Sequence, residues 1–101
     1  DQVWRELPFS LRLPAAELYG QEAAGEYVFV QGIVDCVWRE GEQAMLLDFK
    51  SDNVNEHTLP RAIAGYQVQV DLYARAVAAL FQLPVTERYL YFLRLDRAVQ
   101  V

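Results

Sequence analysis

The sequence predicts an α/β domain with a mixed sheet and elements in the order β-β-β-α-β. Two observations predict this class. Four stretches are rich in Val, Ile, Tyr, Phe and Leu and are separated by polar or glycine-containing segments, which is typical of strands. Between the third and fourth stretches, apolar residues recur instead at the spacing of a helix.

Three predicted strands precede the helix. The first covers residues 4–13, where Pro8 indicates an edge or irregular position because proline cannot donate to a ladder. Residues 15–25 are expected to form a connection with room for one helical turn. Residues 26–39 form a long second strand, and residues 43–50 return as a third after a turn at Gly41.

A loop over residues 51–58 leads into a helix over residues 59–83. Thr58 is expected to cap this helix, Pro60 is tolerated in its first turn and Pro84 ends it. A last strand is expected over residues 87–95. The apolar positions of the helix at the 3.6-residue spacing are Ile63, Tyr66, Val70, Ala74, Val77 and Phe81.

Bulk properties set the class of protein. A chain of 101 residues, 53% of them hydrophobic, is expected to form a single domain over residues 1–101. Apolar runs stay well short of the ~20 residues that cross a membrane. Cys36 is the one cysteine, which excludes an internal disulfide and a cysteine-based zinc site and favours a reducing cytoplasm. The beginning, Asp1-Gln2-Val3, resembles neither a signal peptide nor an initiation site, so we expect an excised fragment.

The net charge of −5 argues against a freestanding nucleic-acid binder. Such proteins rely on many lysine and arginine contacts to phosphates, whereas this chain has 9 basic and 14 acidic residues. Binding of nucleic acid would therefore need help from other domains.

The hairpin between the second and third strands places chemistry-bearing residues together. If Gly41 and Glu42 form a two-residue turn, with glycine first as in a type II′ turn, Asp35 lies directly opposite Asp48. Opposite residues in an antiparallel pair share a face with Cβ atoms ~5 Å apart. Lys50 joins Asp48 on that face because side chains alternate along a strand.

Two neighbouring carboxylates in apolar strands repel each other and are costly to bury unpaired. A divalent cation such as Mg²⁺ or Mn²⁺ resolves this, since it takes oxygen ligands and can act on a phosphodiester. Lys50, the only lysine in the chain, could orient a water or neutralise developing charge. Asp48 and Lys50 also fit a plain strand-end ion pair, and both interpretations remain open on these residues alone.

Three segments resemble successive motifs of the RecB-family nucleases of the PD-(D/E)xK superfamily. They are QGIVD at residues 31–35, LDFKS at residues 47–51 and QVDLY at residues 69–73. The closest likeness is to the C-terminal nuclease domain of AddA-type helicase-nucleases. RELPF at residues 5–9 and YLYFL at residues 89–93 resemble the first and closing strands of that domain.

The resemblance implies a restriction-endonuclease-like mixed sheet with a flanking helix. It also implies that the metal ligands are the side chains of Asp35 and Asp48 and the backbone carbonyl of Phe49, with Lys50 catalytic. The family usually has a histidine on a helix upstream of the first strand. No residue here matches it, and His57 is in the wrong place, so we expect that helix to be missing and His57 to have no chemical role.

Gln69 and Tyr73 match the Gln-x-x-x-Tyr element of the family. Residues i and i+4 lie side by side on a helix, so the resemblance implies that both contact the scissile phosphate or brace Lys50. Tyr73 at this spacing also fits a plain core residue, an alternative that remains open. Phe49 and Ser51 stand where the family usually has Tyr and Thr.

The implied activity is Mg²⁺- or Mn²⁺-dependent hydrolysis of DNA, as an exonuclease within an ATP-dependent helicase-nuclease that processes double-strand breaks for recombinational repair. The implied partners are DNA, the helicase domains of the same parent chain and a further helicase-nuclease chain. The alternative is an inactive nuclease-fold module used for DNA guiding or protein docking. Signatures of serine hydrolases, phosphate-binding loops and dinucleotide folds are absent from the sequence. A sheet face without its helix is expected to cause self-association of the fragment.

Overall fold

The structure, a computed structural model, describes residues 2–101. The predicted α/β class and the order β-β-β-α-β are confirmed, with a short fifth strand added at the end. A four-residue helix and one 3-10 turn at Gln21–Ala23 occupy the predicted connection. In chain order the elements are β1 (Gln2–Pro14), α1 (Ala16–Tyr19), β2 (Tyr27–Glu40), β3 (Gln43–Lys50), α2 (Leu59–Phe81), β4 (Val85–Phe92) and β5 (Arg97–Gln100).

The strands form a mixed sheet in which their spatial order follows the chain, β1-β2-β3-β4-β5. Neighbours are antiparallel except β3 and β4, which are parallel. Helix α2 makes the crossover between these two strands, as a parallel connection requires. Strand β1 lies at an edge of the sheet, which confirms the position inferred from Pro8.

The hairpin between β2 and β3 has the predicted turn. Glu40 pairs with Gln43, so Gly41 and Glu42 are the two turn residues. Gly41 has φ +61°, the left-handed value required at the first position of a type II′ turn. The turn chemistry therefore set the register of the whole hairpin.

Helix α2 begins at the predicted residue and Thr58 occupies the predicted N-cap position, but its side chain makes no capping bond to α2 within the described residues. Instead the Asn55 side chain accepts the N–H groups of His57 and Thr58 at 2.8 and 3.0 Å, and so organises the turn ahead of the helix. The helix ends at Phe81, two residues before the predicted end, because Gln82 adopts a left-handed conformation with φ +55°.

The last predicted strand begins and ends early. Residues 93–96 form a turn rather than the end of that strand, and Asp96 within it has φ +48°. The turn returns the chain as β5, which pairs with β4 from Tyr89–Gln100 to Phe92–Arg97. Strand β5 is short and was not predicted.

The core lies between α2 and one face of the sheet. Apolar side chains of β2, β3 and β4 meet those of α2, and the fully buried members include Val34, Val37, Leu46, Val70, Val77, Leu90 and Phe92. The opposite face of the sheet carries apolar side chains that remain 50–68% exposed: Tyr27, Phe29, Ile33 and Phe49. We call these four residues the outer apolar face. Within residues 2–101, no helix has the length and apolar character needed to cross a membrane.

The alternation of β2 breaks at Asp35. Val34 and Val37 are both fully buried, although strict alternation would place them on opposite faces. Asp35 and Cys36, which lie between them, are both half-buried. Even-numbered side chains of β2 therefore point to the core before Asp35, and odd-numbered side chains point to it afterwards. Asp35 is the residue that the family resemblance implies to be a metal ligand.

Strand β1 breaks at the same level. Its pairs with β2 place Glu6 opposite Asp35, between Arg5–Cys36 and Leu7–Val34. Glu6 has φ +51°, a left-handed conformation that costs a non-glycine residue ~1 kcal/mol. The two strands thus kink together, and the kink sits beside the candidate site.

Candidate active site

The carboxylate of Asp35 reaches across to the backbone of β3. Within residues 2–101, the pairs between β2 and β3 run from Glu40–Gln43 to Cys36–Leu47, as the predicted register requires. The next pair, Asp35 with Asp48, is not part of the ladder. Instead Asp35 Oδ2 accepts the N–H of Phe49 at 2.8 Å. At the kink of β2, the N–H of Phe49 therefore bonds to the Asp35 carboxylate instead of a backbone carbonyl.

Asp48 is the buried member of the acidic pair, with a relative exposure of 4%. Burial, followed by a hydrogen bond with the Asp35 carboxyl, raises the pKa of Asp48 from 3.8 to about 6 against the opposing effect of Lys50. The two carboxyl groups are therefore direct neighbours. Burial thus makes the charged form of Asp48 costly, and Lys50 compensates this cost only in part.

Lys50 lies at the end of β3 with its ammonium group almost enclosed. Its Nζ is 2.7 Å from Asp48 Oδ2 and donates to Gln69 Oε1 at 2.6 Å. The ring centroid of Tyr66 is 4.0 Å from the same atom. The structure therefore brings together four of the residues singled out in the sequence, Asp35, Asp48, Lys50 and Gln69.

Tyr73 lies one helical turn after Gln69 and faces the same region. Burial raises its pKa, and the negative charges of Asp48 and Asp35 raise it further, so its hydroxyl lies within the field of both carboxylates. Its ring packs edge-on against Phe9 at 5.3 Å between centroids. Tyr73 is thus both a packing residue and a neighbour of the acidic pair.

Gly32 makes this packing possible. A Cβ at Gly32 would lie 2.9 Å from Phe9 Cε1 and 3.5 Å from Tyr73 Cε1. A side chain at residue 32 would displace the Phe9 ring, which packs against Tyr73. The glycine of the QGIVD segment therefore has a packing role that sets the position of Tyr73.

Sequence reasoning missed two residues of this cluster. The sequence places Tyr66 on the apolar face of the helix and Asp52 in a polar loop. In the structure the Tyr66 hydroxyl donates to the Asp52 carboxylate, at 2.7 and 2.8 Å from its two oxygens. The signal that could have found Tyr66 is its position one turn before Gln69, on the same helix face.

Other features lie apart from this cluster. His57 is exposed, and its backbone N–H donates to Asn55. A recess of about 550 Å³ over β1 and β2 is lined by residues without ionisable side chains, Pro8, Phe9, Ser10, Gln31, Gly32 and Ile33. A groove of about 400 Å³ runs between β2 and α2 and includes Gln69 and Tyr73 in its wall. A smaller recess of about 200 Å³ is lined by Arg5, Asp35, Cys36 and Phe49, so the acidic pair borders on solvent through Asp35.

The oxygen atoms suited to a hard cation are the carboxylates of Asp35 and Asp48 and the carbonyl of Phe49. The N–H and C=O of a residue in a ladder point to the same side. The Phe49 carbonyl therefore points toward β2, like its N–H, while the next carbonyl, of Lys50, accepts Leu93 N–H on the β4 side at 3.0 Å. Among residues 2–101 there is no cluster of three or more His, Cys, Asp or Glu side chains. Two carboxylates and one backbone carbonyl fit Mg²⁺ or Mn²⁺, because these ions complete their coordination shell with water and substrate oxygens.

The sequence profile of the PD-(D/E)XK nuclease superfamily matches residues 1–100. The chain belongs to this superfamily, and the mixed sheet with α2 between β3 and β4 is consistent with its restriction-endonuclease-like fold.

Curated relatives point to one kind of protein within the superfamily. The chain is 47% identical over 97 residues to a subunit of the ATP-dependent helicase/nuclease of Moorella thermoacetica, a match that covers 92% of this chain and 7% of that protein. The proteins of the same name from Syntrophomonas wolfei and Listeria innocua are 41% and 40% identical over 98% and 91% of this chain. The chain spans 8% of the length of each of these two relatives. Its resemblance to AddA-type helicase-nucleases is therefore confirmed, and these relatives are far longer than the chain.

Proposed function

We propose that this chain is the nuclease module of a helicase-nuclease and hydrolyses DNA phosphodiester bonds with Mg²⁺ or Mn²⁺. The observation that carries the proposal is the contact of Lys50 with Asp48 on the hairpin that also holds Asp35. Superfamily membership supports nuclease chemistry in general. The metal requirement and the role in recombinational repair are part of the proposal.

Asp35, Asp48 and the Phe49 carbonyl are the proposed metal ligands. When bound, the cation supplies Lewis acidity to a water and to the scissile phosphate. The hydrogen bond from Phe49 N–H fixes Asp35 Oδ2 and holds the Asp35 carboxylate beside Asp48. Burial raises the pKa of Asp48, and a cation bound at this place would offset that effect by stabilising the ionised carboxylate.

Lys50 is the proposed catalytic residue. Its ammonium is held beside Asp48 and can orient the attacking water or stabilise charge on a phosphate oxygen. Gln69 is a neutral acceptor, so it fixes Lys50 without neutralising its charge. The Tyr73 hydroxyl lies near the acidic pair, and we propose that it donates a hydrogen bond to the scissile phosphate.

Other domains are needed to present DNA to this module. The net charge of −5 leaves the chain poorly suited to hold DNA unaided. The relatives carry a name that joins helicase and nuclease. We propose that helicase domains of the same polypeptide deliver the strand, that a second subunit completes the enzyme, and that it works in the cytoplasm.

The first test is titration of Mn²⁺ by calorimetry into the wild-type chain, Asp35→Ala and Asp48→Ala. Asp71→Ala is the matched control, because Asp71 lies on the solvent side of α2 in an ion pair with Arg88. We expect binding in the wild type and the control and its loss in both site variants. A polypeptide extended on its N-terminal side tests whether the expected upstream helix strengthens the site.

Cleavage of a labelled DNA strand then separates the two candidate functions. A nuclease cuts with Mn²⁺ or Mg²⁺ and stops cutting in Lys50→Ala. If neither the chain nor the extended polypeptide binds Mn²⁺ or cuts DNA, the catalytic proposal fails. The inactive docking or DNA-guiding module then takes its place.

A further inference from the structure

We propose that Tyr66 is a positioning residue for Lys50. The face of its ring binds the ammonium group, and Asp52 holds the ring in place through the Tyr66 hydroxyl. This inference deepens the proposed nuclease function and rests on it. Neither residue belongs to the three motif segments that carry the resemblance to nucleases, although Asp52 directly follows one of them.

The surroundings of Lys50 Nζ define the role of the ring. An ammonium group has three hydrogens. Asp48 Oδ2 and Gln69 Oε1 take two of them, at 2.7 and 2.6 Å. The Tyr66 ring also lies against this atom, with its centroid 4.0 Å from Nζ. The face of an aromatic ring carries negative charge density and attracts a cation, most strongly where water is excluded. The Lys50 side chain is only 11% exposed.

The neutrality of the ring matters for the chemistry. Asp48 already balances the charge of Lys50, and a second carboxylate in the place of Tyr66 would make the group around the ammonium net negative and would repel a phosphate. A ring face attracts the ammonium without accepting a directed hydrogen bond. The ring therefore holds the ammonium group beside Asp48 and Gln69 without adding a negative charge that would compete with a substrate phosphate.

Asp52 holds the ring. Both of its carboxylate oxygens lie within hydrogen-bond distance of the Tyr66 hydroxyl, at 2.7 and 2.8 Å. Asp52 lies on the segment that leaves β3 directly after Lys50, and Tyr66 lies on α2 above it. The hydrogen bond with Asp52, followed by burial, raises the pKa of Tyr66 to about 12, so its hydroxyl remains a donor at neutral pH. The bond thus ties the chain beyond the lysine to the helix that supplies Gln69.

One test reads the contact directly and needs no nuclease activity. Lys50 is the only lysine, so selective isotope labelling of lysine gives a single side-chain signal in NMR. Protons above a ring face shift upfield, so we expect upfield Lys50 Hε signals in the wild type and in Tyr66→Phe. We expect the shift to be lost in Tyr66→Leu and retained in the matched control Tyr19→Leu, since Tyr19 is 68% exposed on α1. An unshifted Lys50 signal in the wild type would overturn the inference.

A second test measures cleavage of DNA. In Tyr66→Leu we expect kcat to fall about tenfold or more with KM for DNA within about twofold, because ground-state binding of DNA does not depend on the ring. Tyr66→Phe keeps the ring and should remain within about threefold of wild type, as should Asp52→Asn, which keeps an acceptor for the hydroxyl. Asp52→Ala should fall between Tyr66→Phe and Tyr66→Leu.

The outcomes separate this inference from the proposed function. A Tyr66→Leu variant that cuts at the wild-type kcat overturns the positioning role. A Tyr66→Phe variant as slow as Tyr66→Leu overturns the assignment to the ring face and leaves the hydroxyl as the active group. If neither the chain nor the extended polypeptide cuts DNA but the wild-type chain shows the ring-shifted Lys50 signal, the nuclease proposal is contradicted while the structural contact stands.

Discussion

Lys50 Nζ donates to Gln69 Oε1 at 2.6 Å, which joins the end of β3 to the middle of α2 across 19 positions of sequence. The lysine and its acidic neighbour come from the hairpin, whereas the acceptor that orients the lysine comes from the helix. The candidate site therefore depends on how α2 sits on the sheet as much as on the hairpin itself.

Gln69→Ala removes the neutral acceptor of Lys50. We expect kcat for DNA cleavage to fall by about tenfold to a hundredfold, equivalent to ~1.4–2.7 kcal/mol in the activation free energy. Binding of Mn²⁺ should remain, because Gln69 is not one of the proposed ligands. The matched control is Gln67→Ala on the same helix, since the Gln67 side chain bonds to Asp71 at 3.1 Å, away from the lysine. Equal activity of the two variants would contradict the bracing role.

The free energy of unfolding of the metal-free chain should depend on pH because of Asp48. Its folded-state pKa is raised from 3.8 to about 6, so the folded state binds the proton more tightly than the unfolded state does. The contribution of Asp48 to the free energy of unfolding is fully present below pH 3.8 and is lost as pH rises through about 6. Its full size is ~3 kcal/mol at most.

Chemical denaturation of the wild type and Asp48→Asn between about pH 4 and 7.5 measures this effect in the presence of a chelator. The difference in unfolding free energy between the two should change in favour of the variant as pH rises. Saturating Mn²⁺ at the upper end of this range should raise the stability of the wild type only, by mass action on the folded state. If the difference in unfolding free energy between the two proteins does not change with pH, the raised pKa of Asp48 is contradicted.

Gly32→Ala should destabilise the fold and disturb the site together. The new Cβ would lie 2.9 Å from Phe9 Cε1, so the ring must shift, and Tyr73 packs against that ring. We expect a loss of ~1–3 kcal/mol in the free energy of unfolding. Phe9→Leu in the same chain should restore part of it by making room.

Gly65→Ala is the control for this prediction and should act in the opposite direction. A Cβ at Gly65 meets no heavy atom of the described residues within 4 Å, and Gly65 lies inside α2. Alanine should therefore stabilise the helix by ~0.5–1 kcal/mol. Thermal melts of both variants provide the comparison, and equal effects would mean that the close approach at Gly32 is relieved without cost.

The outer apolar face should cause self-association of the chain. Phe29 on this face is 68% exposed, and neighbouring exposed apolar side chains form the kind of patch that associates. We expect size-exclusion chromatography with light scattering to show a mass that rises with concentration, and Phe29→Ser to lower it. Val68→Ser, at a residue 67% exposed on α2, is the control. A monomer of constant mass up to high concentration would contradict the expectation.

The parts of the fold that sequence predicts best are those with local causes. Gly41 sets the turn and thereby the register of β2 with β3, and Pro84 together with the apolar spacing defines the helix. Asn55 and Thr58 organise the approach to α2 by accepting different backbone N–H groups, an arrangement that the sequence alone does not specify. Strand β5 escaped prediction because a segment this short has no period to detect.

The geometry of the site needed the structure. Period-two counting places Asp35 opposite Asp48, but the kink at Glu6 and Asp35 redirects the Asp35 carboxylate to the N–H of Phe49. Glutamate is not a residue that signals a left-handed conformation, so the kink leaves no mark in the sequence. The contact of Lys50 with Tyr66 likewise depends on the docking of α2, which the periodicity of the helix alone does not specify.

The division of the site between hairpin and helix also bears on how the chain folds. Strands β2 and β3 are joined by a two-residue turn and can pair early, whereas α2 must dock on them across the loop of residues 51–58. Asp35, Asp48 and Lys50 therefore come together first, and Gln69 and Tyr66 arrive only when the helix docks. A small molecule that bridges Lys50 and α2 binds this docked state alone, so its affinity adds directly to the energy needed to unfold the domain.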